Sequence, residues 1–542
     1  MGMDQASGPA APVGAFVRKA SGLVRQASAF DAFIFNVYFI NIGMGVAFLV
    51  LFYPLYPGAN LVLTTVLCLI LVLPTSLLYV MFMSAMPRSG GDYVYVTRSI
   101  GPALGFMSNW NWNIWNLVLM GIAGSFLGLY GISGLFRVIA GFTHNAATAD
   151  AANFFTTPNG KFLTSAVLVV GLVALFAYGN GLRAYFRFQK ITFYLATIGI
   201  AIALAAIIVA GNGGFHSAFN SYVSTFLPKS PDAYNDVIAS AKFKAAPFSF
   251  GQSALAVTWA FLVLGFGIAS SYIGGEIKMS SGVFLRSVTG SVVYSALWMA
   301  LIIAIFFWVL GDTFIGSLGL VDPTKIGLSF TPLFAELGAM ATRNIVLGVF
   351  IALAFALWTY VWMPGYILSW SRSMVAWSLD RLVPAKLGEV DPRRQAPIFG
   401  LAVLLVGSLV ACAIYSYTHL LTLLAGALGE ALTFYMVSIA GIVFPYRHKQ
   451  IWQSSQYNQT VAGIPLMSIM GALSLICMII VSVILLLDPN SGVTFGTSTG
   501  NPNLIFTGAV FVSGLVVYYI AKFIRARQGI DVTLAYREIP PE

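Results

Sequence analysis

The sequence predicts an all-α membrane protein of 12 transmembrane helices. Three observations predict it. Of 542 residues, 58% are hydrophobic and only 8% charged, with mean hydropathy +0.86; soluble domains carry about 25% charged residues. The apolar residues come in runs that reach the roughly 20 residues a helix needs to cross a bilayer. Lys and Arg lie between the runs and fall about three to one on alternate connections.

Taken in order, residues 1–29 form a polar, small-residue-rich cytoplasmic segment without a signal-peptide pattern. The spans follow at about 30–54, 59–85, 101–140, 161–179, 189–211, 248–275, 283–311, 344–372, 398–416, 418–445, 463–487 and 503–525. The third is long enough to tilt or to leave the lipid. With the N-terminus inside, the inner connections carry Arg88, Arg98, Arg183, Arg187, Arg372, Arg381, Arg393 and Arg394 among others. The outer ones carry fewer, such as Arg137, Lys161, Lys242 and Arg343. That asymmetry is coherent only for an even number of spans, so both termini are expected in the cytoplasm of a multi-pass cell-membrane protein. The longest outer loops, 212–247 and 312–343, are too short for a domain. The tail, 526–542, reads as a cytoplasmic extension without its own core.

The net charge of +10 could point to nucleic acid. Its distribution between apolar runs points to membrane orientation instead, and no nucleic-acid partner is expected. Cys68, Cys412 and Cys477 sit in apolar runs and read as small core residues. His144, His216, His419 and His448 lack ligand spacing, so no metal site and no cofactor are expected.

Two stretches organise the transmembrane domain, 30–525: Asn41-Ile42-Gly43-Met44-Gly45 in the first run and Leu264-Gly265-Phe266-Gly267 in the sixth. Glycine is a weak interior helix residue. Alone, either motif reads as close helix packing. As a pair in corresponding positions, they point to discontinuous helices 1 and 6 and to a binding site. Five runs per half would invert the second copy. The expectation is a 5+5 inverted repeat, about 30–211 and 248–445, plus two extra helices at 463–525. A broken helix exposes N–H groups on one half and C=O groups on the other, which suits a small zwitterion such as an amino acid.

Glu430 is the clearest ionisable residue inside a run and reads as a proton carrier, a counter-charge or a packing residue. Asp31 and Glu276 lie near helix ends and read as solvated caps. Trp110, Trp112 and Trp115, interleaved with asparagines, read as an interfacial belt. Gly121, Gly124, Gly128, Gly131 and Gly134 read as a packing ladder. Trp259 and Phe261 before the break in the sixth run, and Trp358, Tyr360, Trp362 and Tyr366 in the eighth, are candidates for pocket or gate positions.

These residues match a known pattern. Ile42-Gly43-Met44-Gly45-Val46, Pro87-Arg88-Ser89-Gly90-Gly91-Asp92-Tyr93, Gly275-Glu276-Ile277-Lys278 and Asp380-Arg381-Leu382-Val383-Pro384 resemble the amino acid–polyamine–organocation (APC) superfamily. The likeness covers nearly the whole chain. It implies a secondary amino acid or amine permease working by alternating access, embedded in the lipid bilayer, with possible coupling to H+ or Na+. By position, it implies that a substrate carboxylate meets the backbone of Gly43, Met44 and Gly45, with Ile42 also among the substrate-binding residues. The amine would meet carbonyls of Asn41, Phe261, Leu262 and Leu264, ahead of Gly265. Met44 stands where many relatives have Ser or Thr, and Lys278-Met279-Ser280 replaces a usual Lys-Asn-Pro. A twelve-span sugar or drug porter is the alternative within transport, but the loop at Pro87–Tyr95 lacks the Gly-x-x-x-Asp-Arg pattern expected of one. A membrane enzyme would need clustered acids or histidines, and a sensor without flux is the remaining reading.

Overall fold

The computed structural model describes residues 25–178, 181–226, 230–278, 282–321, 332–394, 396–418 and 423–537. Most of the N-terminal segment, His419, the Met279-Ser280 departure and the last five residues lie outside these. Twelve of the described helices are long and apolar enough to cross a membrane. They are Ala29–Leu55, Leu61–Ala85, Pro102–Thr143, Pro158–Tyr178, Leu182–Val223, Phe250–Tyr272, Leu285–Leu310, Ile345–Leu379, Ile398–Tyr417, Leu423–Arg447, Leu466–Leu487 and Gly500–Arg527. The chain is all-α in its described residues apart from one two-stranded ribbon, Thr460–Val461 with Ile464–Pro465.

Burial sorts the spans into centre and rim. The most apolar window of the first span is 94% buried and that of the sixth 89%, against 33% and 22% for the eleventh and twelfth. A helix at the centre must be acceptable to protein on every side. The first span buries Ile34, Phe35, Asn36, Val37, Tyr38, Phe39 and Ile40 without a gap. The eleventh buries one stripe, including Met467, Gly471, Ser474, Met478, Val481 and Leu485, and exposes Leu473, Ile476, Ile480 and Val483 on the other face. That exposed face is as apolar as lipid requires.

The third span is the hub of the packing. A Cβ on Gly121 would stand 2.4 Å from the Ser408 carbonyl oxygen and 2.8 Å from the Cys412 amide. Gly124 and Gly128 face Ser165 and Thr164 of the fourth span as closely, at 2.4 and 2.5 Å. A π-helical turn, Leu127–Ile132, lies midway along the span. The glycine ladder therefore does what its spacing predicts: it lets backbones meet.

One expectation needs correction. Trp112 and Trp115 are fully buried rather than interfacial, and Asn109, Asn111, Asn113 and Asn116 are buried with them. Each asparagine has a hydrogen-bonding partner inside the protein, which is what makes burial tolerable. The outer connections are partly helical. The fifth helix runs on to Val223 through a kink at Gly211, and short helices Ala233–Ala241, Asp312–Leu320 and Phe334–Thr342 follow. The described part of the tail folds back as a short helical turn, Val532–Arg537, with Val532 and Ala535 buried. Tyr536 stands 3.2 Å from the Tyr93 hydroxyl, and Arg98 lies 5.0 Å from the Tyr536 ring.

Gly121→Leu should lower stability by about 1–3 kcal/mol or more, because the neighbouring atoms are backbone and cannot swing aside. Gly171, with nothing within 4 Å of where a Cβ would stand, provides the contrast: Gly171→Ala should be neutral or stabilise by up to about 1 kcal/mol. Thermal unfolding of the purified protein in detergent distinguishes the two.

Candidate functional site

The first span is two helices, Ala29–Ile40 and Ile42–Phe52, joined at Asn41. Asn41 takes the left-handed conformation, φ 62 and ψ 73. The interruption therefore lies two residues before the Gly-x-Gly tripeptide, and Gly43, Met44 and Gly45 are helical. The reason is local chemistry. Asn tolerates left-handed backbone, and its side chain can replace a missing backbone bond. Asn41 Oδ1 accepts from the Met44 amide at 3.1 Å, its carbonyl accepts from Gly45 at 3.0 Å, and its Nδ2 donates to the Trp358 carbonyl at 2.7 Å. Of the amides predicted to meet an anion, those of Met44 and Gly45 are thus occupied. Ile42 and Gly43, the first two of the second helix, keep theirs outside the helical ladder. The glycines serve packing: Trp358 lies over Gly43, 2.5 Å from where a Cβ would be, and Gly45 faces Val263 at 2.9 Å.

The sixth span ends its regular helix at Leu264 and passes through turns to a 3-10 turn, Ala269–Tyr272. Gly265 begins the interruption, as predicted. The Gly265 amide reaches the Phe261 carbonyl at 3.1 Å, and that of Phe266 reaches Val263 at 3.3 Å. Neither leaves a backbone donor for the carbonyls of Leu262 and Leu264. Gly267 faces Ile40, 3.1 Å from a Cβ position, so the two interruptions lie side by side.

A residue to which the glycine pattern does not point joins them. Asn36, fully buried, accepts from the Ser270 amide at 2.8 Å and donates to the Ser270 hydroxyl at 2.9 Å and to the Ser287 carbonyl at 2.8 Å. It ties the first, sixth and seventh spans. A lone Asn in Ile34-Phe35-Asn36-Val37 was the available signal, since a polar residue within an apolar run needs partners. Around the junction stand Phe39, Trp112, Phe266, Tyr366 and Phe434. Phe39 and Tyr366 lie 5.1 Å apart edge to face, and Trp112 and Phe434 are 5.9 Å apart. Glu430 is fully buried, neither of its oxygens has a hydrogen-bond partner among the described residues, and Tyr366 lies within its electrostatic reach.

The profile of the family described as Amino acid permease matches residues 30–515, almost the whole transmembrane domain. The chain belongs to the amino acid permease family. No curated protein sequence matches the permease closely enough to serve as a relative. Among its described residues no group of His, Cys, Asp or Glu could hold a metal ion.

The permease is tied at both ends of the broken pair. On one side, the Trp259 indole donates to the Tyr56 hydroxyl at 2.9 Å and stacks on Phe52 at 4.0 Å; Tyr56 in turn donates to Asp488 at 2.7 Å. Trp362 is buried farther along, 6.1 Å from Phe126. On the other side, Glu276 holds Arg372 through two bonds of 2.8 and 2.7 Å. Its carbonyl accepts from Gln26 and Ala27, just before the first span. Asp31 is a cap, bonded to Ser28, but it also pairs with Lys190 at 2.8 Å. Both acids are buried, not solvated as their positions suggested, because partners from other spans close over them.

Asn36→Ala strands the Ser270 amide and should cost about 1–3 kcal/mol. Asn41→Gly keeps the left-handed backbone and loses only side-chain bonds, so it should cost less, about 1 kcal/mol. Denaturation midpoints of the two variants in one detergent test that order.

Proposed function

We propose that the chain is a secondary active transporter of amino acids or related amines, working by alternating access, with substrate held where the first and sixth spans are interrupted. The single observation that carries this reading is the juxtaposition of bare backbone of both signs. Among the described residues, amides at Ile42 and Gly43 stand unpartnered at the N-terminus of an 11-residue helix, and unpartnered carbonyls at Leu262 and Leu264 end the facing one. Helix dipoles favour an anion at the first and a cation at the second. A carboxylate and an amine of one small molecule satisfy both. Asn41 and Phe261 each keep a carbonyl lone pair for the amine. Phe39, Trp112, Phe266, Tyr366 and Phe434 size the pocket for the remainder of the molecule.

In this reading, residues 30–211 and 248–445 are two five-helix halves of opposite orientation, and helices at 463–525 flank them. Trp259 and Trp362 gate the path. Both termini lie in the cytoplasm and the protein sits in the cell membrane. Glu430 carries a proton that couples to transport, for an ionised carboxylate without a partner is too costly at that depth. The protein makes and breaks no covalent bond.

A thermal-shift screen of purified protein against amino acids and polyamines tests the reading. A ligand at about 100 times its Kd should stabilise the folded state by about 2.7 kcal/mol. Gly43→Leu forces Trp358 aside and Gly265→Leu crowds Phe261, so both should abolish that shift while the proteins remain folded. Retention of the full shift in both rules out the site. In proteoliposomes, Glu430→Gln should flatten the pH dependence of uptake; an unchanged profile removes Glu430 from coupling.

A further inference from the structure

Asp92 stands apart from the substrate site. It opens the helix Asp92–Ser99 between the second and third spans and is fully buried. Its Oδ1 accepts from the Tyr272 hydroxyl and from Asn109 Nδ2, the latter at 3.1 Å; its Oδ2 has no partner among the described residues. Among the described residues, the groups that bond or face its carboxyl are neutral. The second span supplies Tyr79, with Tyr95 beside it; the sixth supplies Tyr272; the third supplies Asn109 and Ser108. Trp377 of the eighth span bonds Asn109 Oδ1 at 2.8 Å. The charged groups nearby are engaged elsewhere. Arg98 grips Asp380 at 2.8 and 3.0 Å under Tyr93 and Tyr536. Arg447 at the end of the tenth span and His448 just after it bond the Ser99 and Arg98 carbonyls at the far end of the helix. Burial raises the Asp92 pKa to about 7, with the Tyr272 and Asn109 bonds pulling the other way.

The position of Asp92 gives this chemistry a consequence. Tyr272 is the last residue of the interrupted sixth span and stacks on Trp112, 5.7 Å away and 15° from parallel. The Tyr272 carbonyl accepts from the Gly90 amide at 3.1 Å, and Ser89 pairs with Ile273. Gly91, at φ 54, lets the loop close: a Cβ there would meet the Tyr272 ring at 3.0 Å and Ser271 Oγ at 3.1 Å. The loop before Asp92 is thus clamped on the end of the broken span, and the carboxyl group sits beneath the clamp.

We propose that Asp92 is a proton-binding latch: it holds a proton while the 89–92 loop is closed on the sixth span, and it releases that proton to water when the clamp opens. The closed state then binds one more proton than the open one, so rising pH favours opening. Relative to the unfolded chain, the same group stabilises the fold below about pH 4, and that contribution is lost as pH rises to about 7. The proposal rests on the alternating-access reading of the broken spans, but its test uses no substrate. Failure of the latch is therefore separable from failure of the binding site, which the ligand-induced thermal shift reports.

Hydrogen exchange of the full-length protein in lipid nanodiscs, corrected for intrinsic exchange, is compared at about pH 5.5 and about pH 8. Peptides covering 88–99 and 268–277 should exchange at least about threefold faster at the higher pH. Asp92→Asn, which mimics the protonated form, should be slow at both. Tyr272→Phe removes a donor that favours the anion, so its midpoint should move to higher pH. The latch is overturned if the wild type shows no difference, if Asp92→Asn keeps it, or if Tyr272→Phe leaves the midpoint in place.

Discussion

A peptide group released from a helix inside a bilayer has no water to turn to, and leaving it unpaired costs several kcal/mol. Every unusual feature at the centre of this protein answers that constraint. The first span breaks at Asn41, and the Asn41 side chain caps the helix it starts and ties itself to the eighth span. The sixth span breaks after Leu264, and Asn36 of the first span bonds the Ser270 amide of its return. Each interruption is held by groups from a neighbouring helix, so neither would be stable in an isolated span. Among the described residues, the few backbone groups left over are at Ile42, Gly43, Leu262 and Leu264.

The ends of the broken pair obey a different balance. Glu276 with Arg372 and Arg98 with Asp380 are ion pairs withdrawn from water. The attraction within such pairs roughly offsets their desolvation, so they add little net stability, while breaking one by removing a partner is costly. Their use is specificity of position. Glu276 brings the segment before the first span against the end of the sixth, and Asp380 gathers Arg98 and Tyr93 beneath the tail. On the opposite side, neutral contacts among Trp259, Tyr56 and Phe52 converge on Asp488. In the alternating-access reading, these are the units that close and reopen.

Much of the architecture was legible because lipid imposes few solutions. Run length set the spans, and the structure reproduces all twelve within a few residues at most of their ends. The glycine ladder of the third span announced close packing, since Gly at every third or fourth position leaves one smooth face. The family followed from loops such as Pro87–Tyr93. The site was legible only in part. Glycine drew attention to the right segments, yet in the first span the break belongs to Asn41. Sequence spacing cannot tell a glycine that frees backbone from one that seats a tryptophan, as Gly43 does for Trp358. Trp112 and Trp115 likewise fit an interfacial belt by position; their burial depends on which spans surround the third.

The chain by itself determined that it crosses a membrane twelve times and where its helices are weak, because hydrophobic length and glycine content are local properties that lipid reads directly. Tertiary structure alone decided which weak points open, which of the freed groups are satisfied, and which acids are sealed from water. Those outcomes depend on atoms 180 to 317 residues apart: Asn36 meeting Ser270, Asn41 meeting Trp358, Asp92 meeting Tyr272. A hydrogen bond in a dry interior exists only when both partners arrive, and only the packed fold brings them together.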